Sequence, residues 1–361
     1  TPLYSSAASD VYKRQLQFTG GYLMQCNVND SAKHNVSMDF LKVIATILVV
    51  RLHSGNSALC PAYTYYLAGC AVPIFFMVNG AFILNRPFVD GKYAAIKIFH
   101  ISRLIFLWSI PYIGAAFLLK HKLKNPLIFV LDSFMQKSAL ANFWFLGALI
   151  LIYLMLPLLY KIYHYNRTSP LLVTVFLGGI CICIDLLSIL MFFNGHETIS
   201  HMVPQFLRLW TWLFYFCLGG IIFNKLPEIK NHLTFKLRLL FIFGMSLLSG
   251  PLQYWLVNQW YHYGSPEYAF DNIIIIIWNI SIMIFFALLN PTCHITKTGA
   301  GFISLTLGVY IIHGLLIEIL KSLGLFNYTH WYVNTFILII SSSAITYLAK
   351  KVPIAKYFVT L

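Results

Sequence analysis

Apolar residues in this chain fall mostly in runs of about twenty residues, separated by short polar stretches. Such runs are long enough to cross the hydrocarbon of a bilayer as helices. Their limits predict ten spans at about residues 39–52, 66–84, 98–119, 143–163, 171–193, 206–223, 237–256, 272–289, 303–320 and 331–348. The fold class predicted is all-α, a polytopic integral membrane protein. Residues 1–37 are polar and aperiodic; they are expected to be a disordered or extraneous segment, with Met24 and Met38 as candidate starts, and 38–361 to form one membrane domain. That segment lacks the apolar core of a signal peptide.

Composition strengthens this picture. The 361 residues are 59% hydrophobic and 10% charged, with mean hydropathy +0.74, far from soluble-domain usage. Formal net charge is +14, but the basic residues sit between apolar runs, so nucleic-acid binding is not expected. With the predicted boundaries, 17 Lys and Arg fall on the amino-terminal side, 6 on the opposite side and 2 within the first run. By the positive-inside rule both termini are then cytoplasmic, and the location is the cell membrane. The segment 120–141, with four lysines on the predicted outer side, is the exception, and a binding surface there is the expected reason. Seven scattered cysteines form no CxxC pair, so neither a metal site nor a disulfide framework is expected.

Chemistry concentrates in the first run, MDFLKVIATILVVRLHSG at 38–55. Ionisable groups in a span are costly and point to function by default. Lys42 and His53 are eleven residues apart, three helical turns, so they share a face and lie about 16 Å apart along the axis. One would sit near each end of a cavity. Lys42 is also three residues from Asp39, a spacing at which the two can pair. Arg51 falls on another face and is expected to snorkel outward. In the third run Lys97, His100 and Arg103 form a basic stripe at its amino-terminal end. Trp144 and Phe145 open the fourth run, where an interfacial belt and a cavity wall are both open readings. His313 can be a packing hydrogen-bonder or a site residue. Asp185 and Glu318 read as buried acids in structural pairs. The aromatic segment 255–271, with His262, Glu267 and Asp271, would suit a sugar, although the belt reading competes.

The motifs DFLKVIATILVVRLHSG, VPIFFMVNGAFIL, FWFLGALILIYLMLPLL, FYFCLGGII and SLTLGVYIIHGLLIEIL, in that order, resemble the membrane acyltransferase-3 family, closest to its short members of the enterobacterial common antigen O-acetyltransferase type. The resemblance implies an enzyme that takes an acyl group, acetyl in such members, from cytoplasmic acyl-CoA to a hydroxyl of an envelope glycan or lipid-linked sugar, with no bound cofactor. It also implies a first-span Arg, ten residues, then His, matched here by Lys42 and His53. A third-span RxxR is matched by His100 and Arg103. Lys is a point charge without Arg's bidentate fork, and His replaces the first Arg of the second motif.

A base is needed to take the hydroxyl proton, and imidazole suits that role near neutrality; His53 is the candidate. Lys42, Lys97, His100 and Arg103 would hold the donor's phosphates, with Trp144 and His313 lining the site. No GxSxG or Cys/His pairing calls for a covalent intermediate, so direct transfer is expected. The competing reading is a transporter or flippase using Lys42 and His53 as a relay, although no inverted repeat is visible.

Overall fold

The computed structural model describes residues 36–55, 62–120, 125–138, 140–232, 234–261, 265–288, 301–326 and 330–360. Residues 1–35, with the reading made for them, lie outside the described residues, as do Cys60 and His262.

The described chain is helical, with no strand among the described residues. Its helices are α1 (Val36–His53), α2 (Ala62–Ala68), α3 (Ala71–Leu84), α4 (Gly91–Lys120), α5 (Pro126–Phe134), α6 (Trp144–Tyr163), α7 (Ser169–Phe193), α8 (Leu209–His232), α9 (Phe235–Leu256), α10 (Ile273–Ala287), α11 (Thr306–Ser322) and α12 (Trp331–Lys351). Helix is the expected form for such a chain, because hydrocarbon offers no partner to an open backbone. Among the described residues seven helical segments are long and apolar enough to cross a membrane: Thr64–Leu84, Gly91–Gly114, Ala141–Tyr163, Ser169–Phe193, Leu209–Ile229, Lys236–Gln259 and Trp331–Lys351. The molecule is a polytopic membrane protein. Three further helices coincide with predicted spans but differ in kind: α1 carries Asp39, Lys42 and Arg51, α10 has 15 residues, and α11 has 17 and includes Glu318 and Lys321.

Two predicted elements change form. The second run is interrupted by a turn at Gly69 and Cys70 between α2 and α3. The lysine-bearing segment 120–141 contains a helix, α5, started by Asn125, whose side chain accepts from the Leu127 N–H. Phe129 and Ser133 face inward while Leu127, Ile128 and Leu131 are exposed, a two-faced surface that a run of lysines in sequence concealed.

The centre of the fold is the crossing of α3 and α8. A Cβ built on Gly80 would lie 1.8 Å from the Phe216 carbonyl oxygen, and one on Gly219 would lie 1.9 Å from that of Met77. The two glycines therefore let the backbones touch reciprocally, the small-residue contact by which helices associate in lipid. Asn85 Nδ2 adds a bond to the Gly220 carbonyl at 3.1 Å. Around this crossing Phe76 stacks on Trp212 at 4.7 Å and meets Phe145 at 4.8 Å, while Trp144 meets Trp212 at 5.1 Å.

Candidate functional site

α1 sits between α3, α11 and α12, and its ends are anchored differently. At its start Asp39 is buried and accepts from Lys42 Nζ at 2.9 Å; the ammonium also lies 4.7 Å from the Phe82 ring centre. The ion pair leaves Lys42 on the wall of a cavity of about 210 Å³. Lys97 and His100 of α4 stand on the same wall, spaced three apart on one helical face. The remainder is mostly apolar and aromatic, Phe75, Leu146, Leu149 and Tyr310 among them, with Asn79 and Thr306 as further polar groups. The cavity is small beside the 300–1,000 Å³ typical of ligand sites, so it suits a narrow arm better than a whole nucleotide.

Tyr310 forms the cavity's aromatic floor with Phe75 and Phe145. Its ring packs 5.7 Å from Phe145 and 6.1 Å from Phe75. Its hydroxyl donates to the Asn142 carbonyl at 2.5 Å, and Asn142 Nδ2 donates to the Tyr310 carbonyl at 3.0 Å. One turn further along α11, His313 lies 6.0 Å from Tyr310 and 5.2 Å from His53. His313 is 1% exposed; His53, at the end of α1, is exposed. His53 Nδ1 is 2.8 Å from the Val49 carbonyl, so that nitrogen holds a hydrogen, and in the neutral ring Nε2 presents a lone pair, the arrangement of a base. His313 Nδ1 is likewise 3.1 Å from the Val309 carbonyl. Lys42 and His53 thus belong to one α1 face opposite α11, with the Tyr310 layer between them.

Other predicted site residues lie elsewhere. Arg103 does not line the cavity: Nη2 donates to the Thr360 carbonyl at 3.5 Å and its guanidinium lies over Tyr357 at 5.5 Å. Beside it Trp108 Nε1 donates to the Phe358 carbonyl, so the carboxyl-terminal segment is strapped to α4 through this arginine. Sequence could not show this, because the partners are about 250 residues away. Trp144 does not line this cavity. It is 4% exposed and packed on Trp212, while its neighbours Phe145 and Leu146 face the cavity.

Arg51 does not snorkel. It is 4% exposed, donates to the Gly55 carbonyl at 2.8 Å and Thr64 Oγ1 at 3.2 Å, and stacks on Trp331 at 4.0 Å. Near a helix carboxyl terminus a cation meets the negative end of the helix dipole, which rewards folding back over reaching for water. Asn334 Nδ2 donates to the Ser54 carbonyl at 2.9 Å, completing the clasp of α12 on the end of α1. Arg51→Met is expected to cost about 2 kcal/mol, from charged hydrogen bonds and cation–π contact. A thermal melt in detergent with unchanged midpoint would contradict that.

The acids of 255–271 are consumed in a brace. Asp271 is buried and accepts from Thr211 Oγ1 at 2.5 Å and Trp210 Nε1 at 3.1 Å; burial pushes its carboxyl above the usual range. Glu267 accepts from Gln205 Nε2 at 2.9 Å. Arg208 donates to the carbonyls of Val203 at 3.0 Å, Glu267 at 3.1 Å and Ser200. Asp185 accepts from Asn272 Nδ2 at 2.9 Å, and Glu318 lies 3.8 Å from Lys321. Tyr310 and Asn142 were not singled out from sequence. The signal available was Tyr310 three residues before His313, the spacing that puts both on one helical face.

Comparison with known proteins agrees with the helical pattern. A family profile described as an acyltransferase domain matches residues 35–350. An amino-acid racemase of Enterococcus faecalis is 23% identical over 325 residues, which is 81% of this chain and 42% of that protein. The chain therefore spans less than half the length of that relative. No solved structure matches. With 35–350 covering α1 through nearly all of α12, the chain belongs to the acyltransferase-3 family of membrane acyltransferases.

Proposed function

We propose that this protein is an O-acyltransferase that moves an acyl group, in the simplest case acetyl, from cytoplasmic acyl-CoA to a hydroxyl of an envelope glycan or lipid-linked sugar. The observation that carries the reading is the set of groups on α1, α4 and α11: three basic side chains on the wall of a narrow cavity, an aromatic floor, and an imidazole pair beyond it. Lys42, Lys97 and His100 would bind the donor's phosphates at the mouth. The cavity would hold the thin acyl-bearing arm, leaving the nucleotide outside. Both termini lie on the cytoplasmic side of the plasma membrane in this reading, with ten spans once α1, α10 and α11 are included, and His53 lies toward the outer side.

The transfer follows from the side chains. The acceptor's hydroxyl proton passes to His53 Nε2 as its oxygen attacks the thioester carbonyl. The carbon–sulfur bond breaks, the thiolate leaves, and the imidazolium returns the proton to it. His313, its ring 5.2 Å from that of His53, would support the cation that forms there. Exposed Tyr332 and Trp255 offer faces suited to a sugar.

The racemase relative is named for another chemistry, and that name belongs to a protein more than twice as long as the matched region. The test is binding of acetyl-CoA to purified protein, wild type against Lys97→Gln, with free CoA as competitor. Wild-type binding that CoA displaces, with at least about tenfold weaker binding in the variant, is expected for a lost charged contact. Absence of binding by folded wild type would overturn the donor assignment and favour the transporter reading.

A further inference from the structure

Two acceptor atoms behind the cavity floor have no hydrogen-bond partner among the described residues: Asn142 Oδ1 and His313 Nε2. Both residues are enclosed, at 7% and 1% exposure. Their chemistry is settled by their other bonds. Asn142 Nδ2 must donate to the Tyr310 carbonyl, so the atom left over is an oxygen. His313 Nδ1 must donate to the Val309 carbonyl, so in the neutral ring Nε2 carries a lone pair and no hydrogen. A third group stands beside them. Tyr112, buried on α4, spends its hydroxyl hydrogen on the Ile311 carbonyl at 3.1 Å. A Cβ on Gly314 would lie 3.0 Å from the Tyr112 hydroxyl oxygen and 3.5 Å from Asn142 Oδ1. The step from Tyr310 to Gly314 therefore gathers acceptors and no spare donor, a pattern that native interiors rarely leave uncompensated.

Resting on the acyl-CoA reading above, we infer that Asn142 Oδ1 accepts a hydrogen bond from the amide N–H of the donor's pantetheine arm that lies nearest the thioester. To bring its carbonyl to His53, the arm must pass the layer of Phe75, Phe145 and Tyr310, and Asn142 is bonded to Tyr310 on that route. The amide nitrogen is two carbons from the sulfur, so an N–H held beside Tyr310 leaves the thioester toward the imidazole pair, one helical turn on. An amide N–H is a donor only, the complement of what the niche lacks. The acceptor's hydroxyl is served instead by exposed His53. Asn142 is thus a donor-specificity residue, and Gly314 is kept small by the same requirement.

The experiment compares binding of acetyl-CoA with that of an analogue whose cysteamine amide is replaced by an ester, which keeps the shape and removes the N–H. Wild type is expected to prefer the amide about tenfold, the scale of one buried hydrogen bond, and Asn142→Ala to bind both alike. The ratio of the two dissociation constants within one variant is independent of how much of that variant is folded. Tyr310→Phe removes the hydroxyl bond to the Asn142 backbone but leaves Oδ1 in place, and is expected to keep the preference. Equal binding of both thioesters by wild type, a preference retained in Asn142→Ala, or its loss in Tyr310→Phe would each overturn the assignment of Asn142 alone. Failure of wild type to bind either thioester would overturn the acyl-CoA reading and this inference together.

Discussion

His53→Ala is expected to lower acyl transfer by about 10²–10⁴-fold, the usual worth of a positioned general base, while leaving expression and membrane insertion unchanged. The separation of the two effects comes from the side chain's position. His53 is exposed at the end of α1, and its contacts are a bond to the Val49 carbonyl within its own helix and the ring of His313. Removing it opens no cavity. His313→Ala differs: it is enclosed, so its loss would lower stability as well as activity. Transfer assays on purified proteins, normalised to the monodisperse fraction, separate the two. A His53→Ala protein with wild-type turnover would remove the base from the mechanism, whatever the acceptor proves to be.

The largest expected effect on folding is at Gly80. Ordinary overpacking costs about 1–3 kcal/mol, but there the obstructing atom is usually a side chain that can rotate. At Gly80 the atom met is a backbone oxygen, 1.8 Å from the added carbon, and Gly219 meets another at 1.9 Å. Neither can move without parting α3 from α8, which would pull apart the Phe76–Trp212 stack at 4.7 Å. Gly80→Leu and Gly219→Leu are therefore each expected to abolish the folded, detergent-stable protein, and Gly80→Ala to lower its melting temperature markedly. Gly114 is the control, since a Cβ there meets nothing within 4 Å; Gly114→Ala is expected to melt like wild type. A Gly80→Leu protein eluting and melting as wild type would mean that the two helices do not cross at these residues.

Much of the architecture was legible because a bilayer leaves few options. A long apolar run must be a helix, and each of the ten predicted runs coincides with helical structure, seven of them meeting length and apolarity alone. The α1 arrangement was readable for a related reason: helical periodicity places Lys42 and His53 on one face regardless of what surrounds them. The same rule gave Arg51 a different face but could not say what lay there. An outward snorkel was the default, whereas Trp331, Thr64 and the Gly55 carbonyl provide a folded clasp. Arg103 shows the same limit. Its basic stripe predicted a place beside Lys97 and His100, but a carboxyl-terminal segment about 250 residues away takes its guanidinium.

The sequence by itself therefore determined the class of fold, the helices that carry charge into the apolar layer, and the family, since each depends on local pattern or on ordered motifs. Only the tertiary structure decided which of those charges share a cavity, because that depends on which faces of distant helices meet. It placed Lys42 with Lys97 and His100 on one cavity wall, with Arg103 and Trp144 outside that lining. It paired His53 with His313 across 260 residues of chain. It also brought in Tyr310 and Asn142, whose importance lies in two mutual hydrogen bonds between α11 and the turn before α6. No periodicity within either segment encodes that meeting.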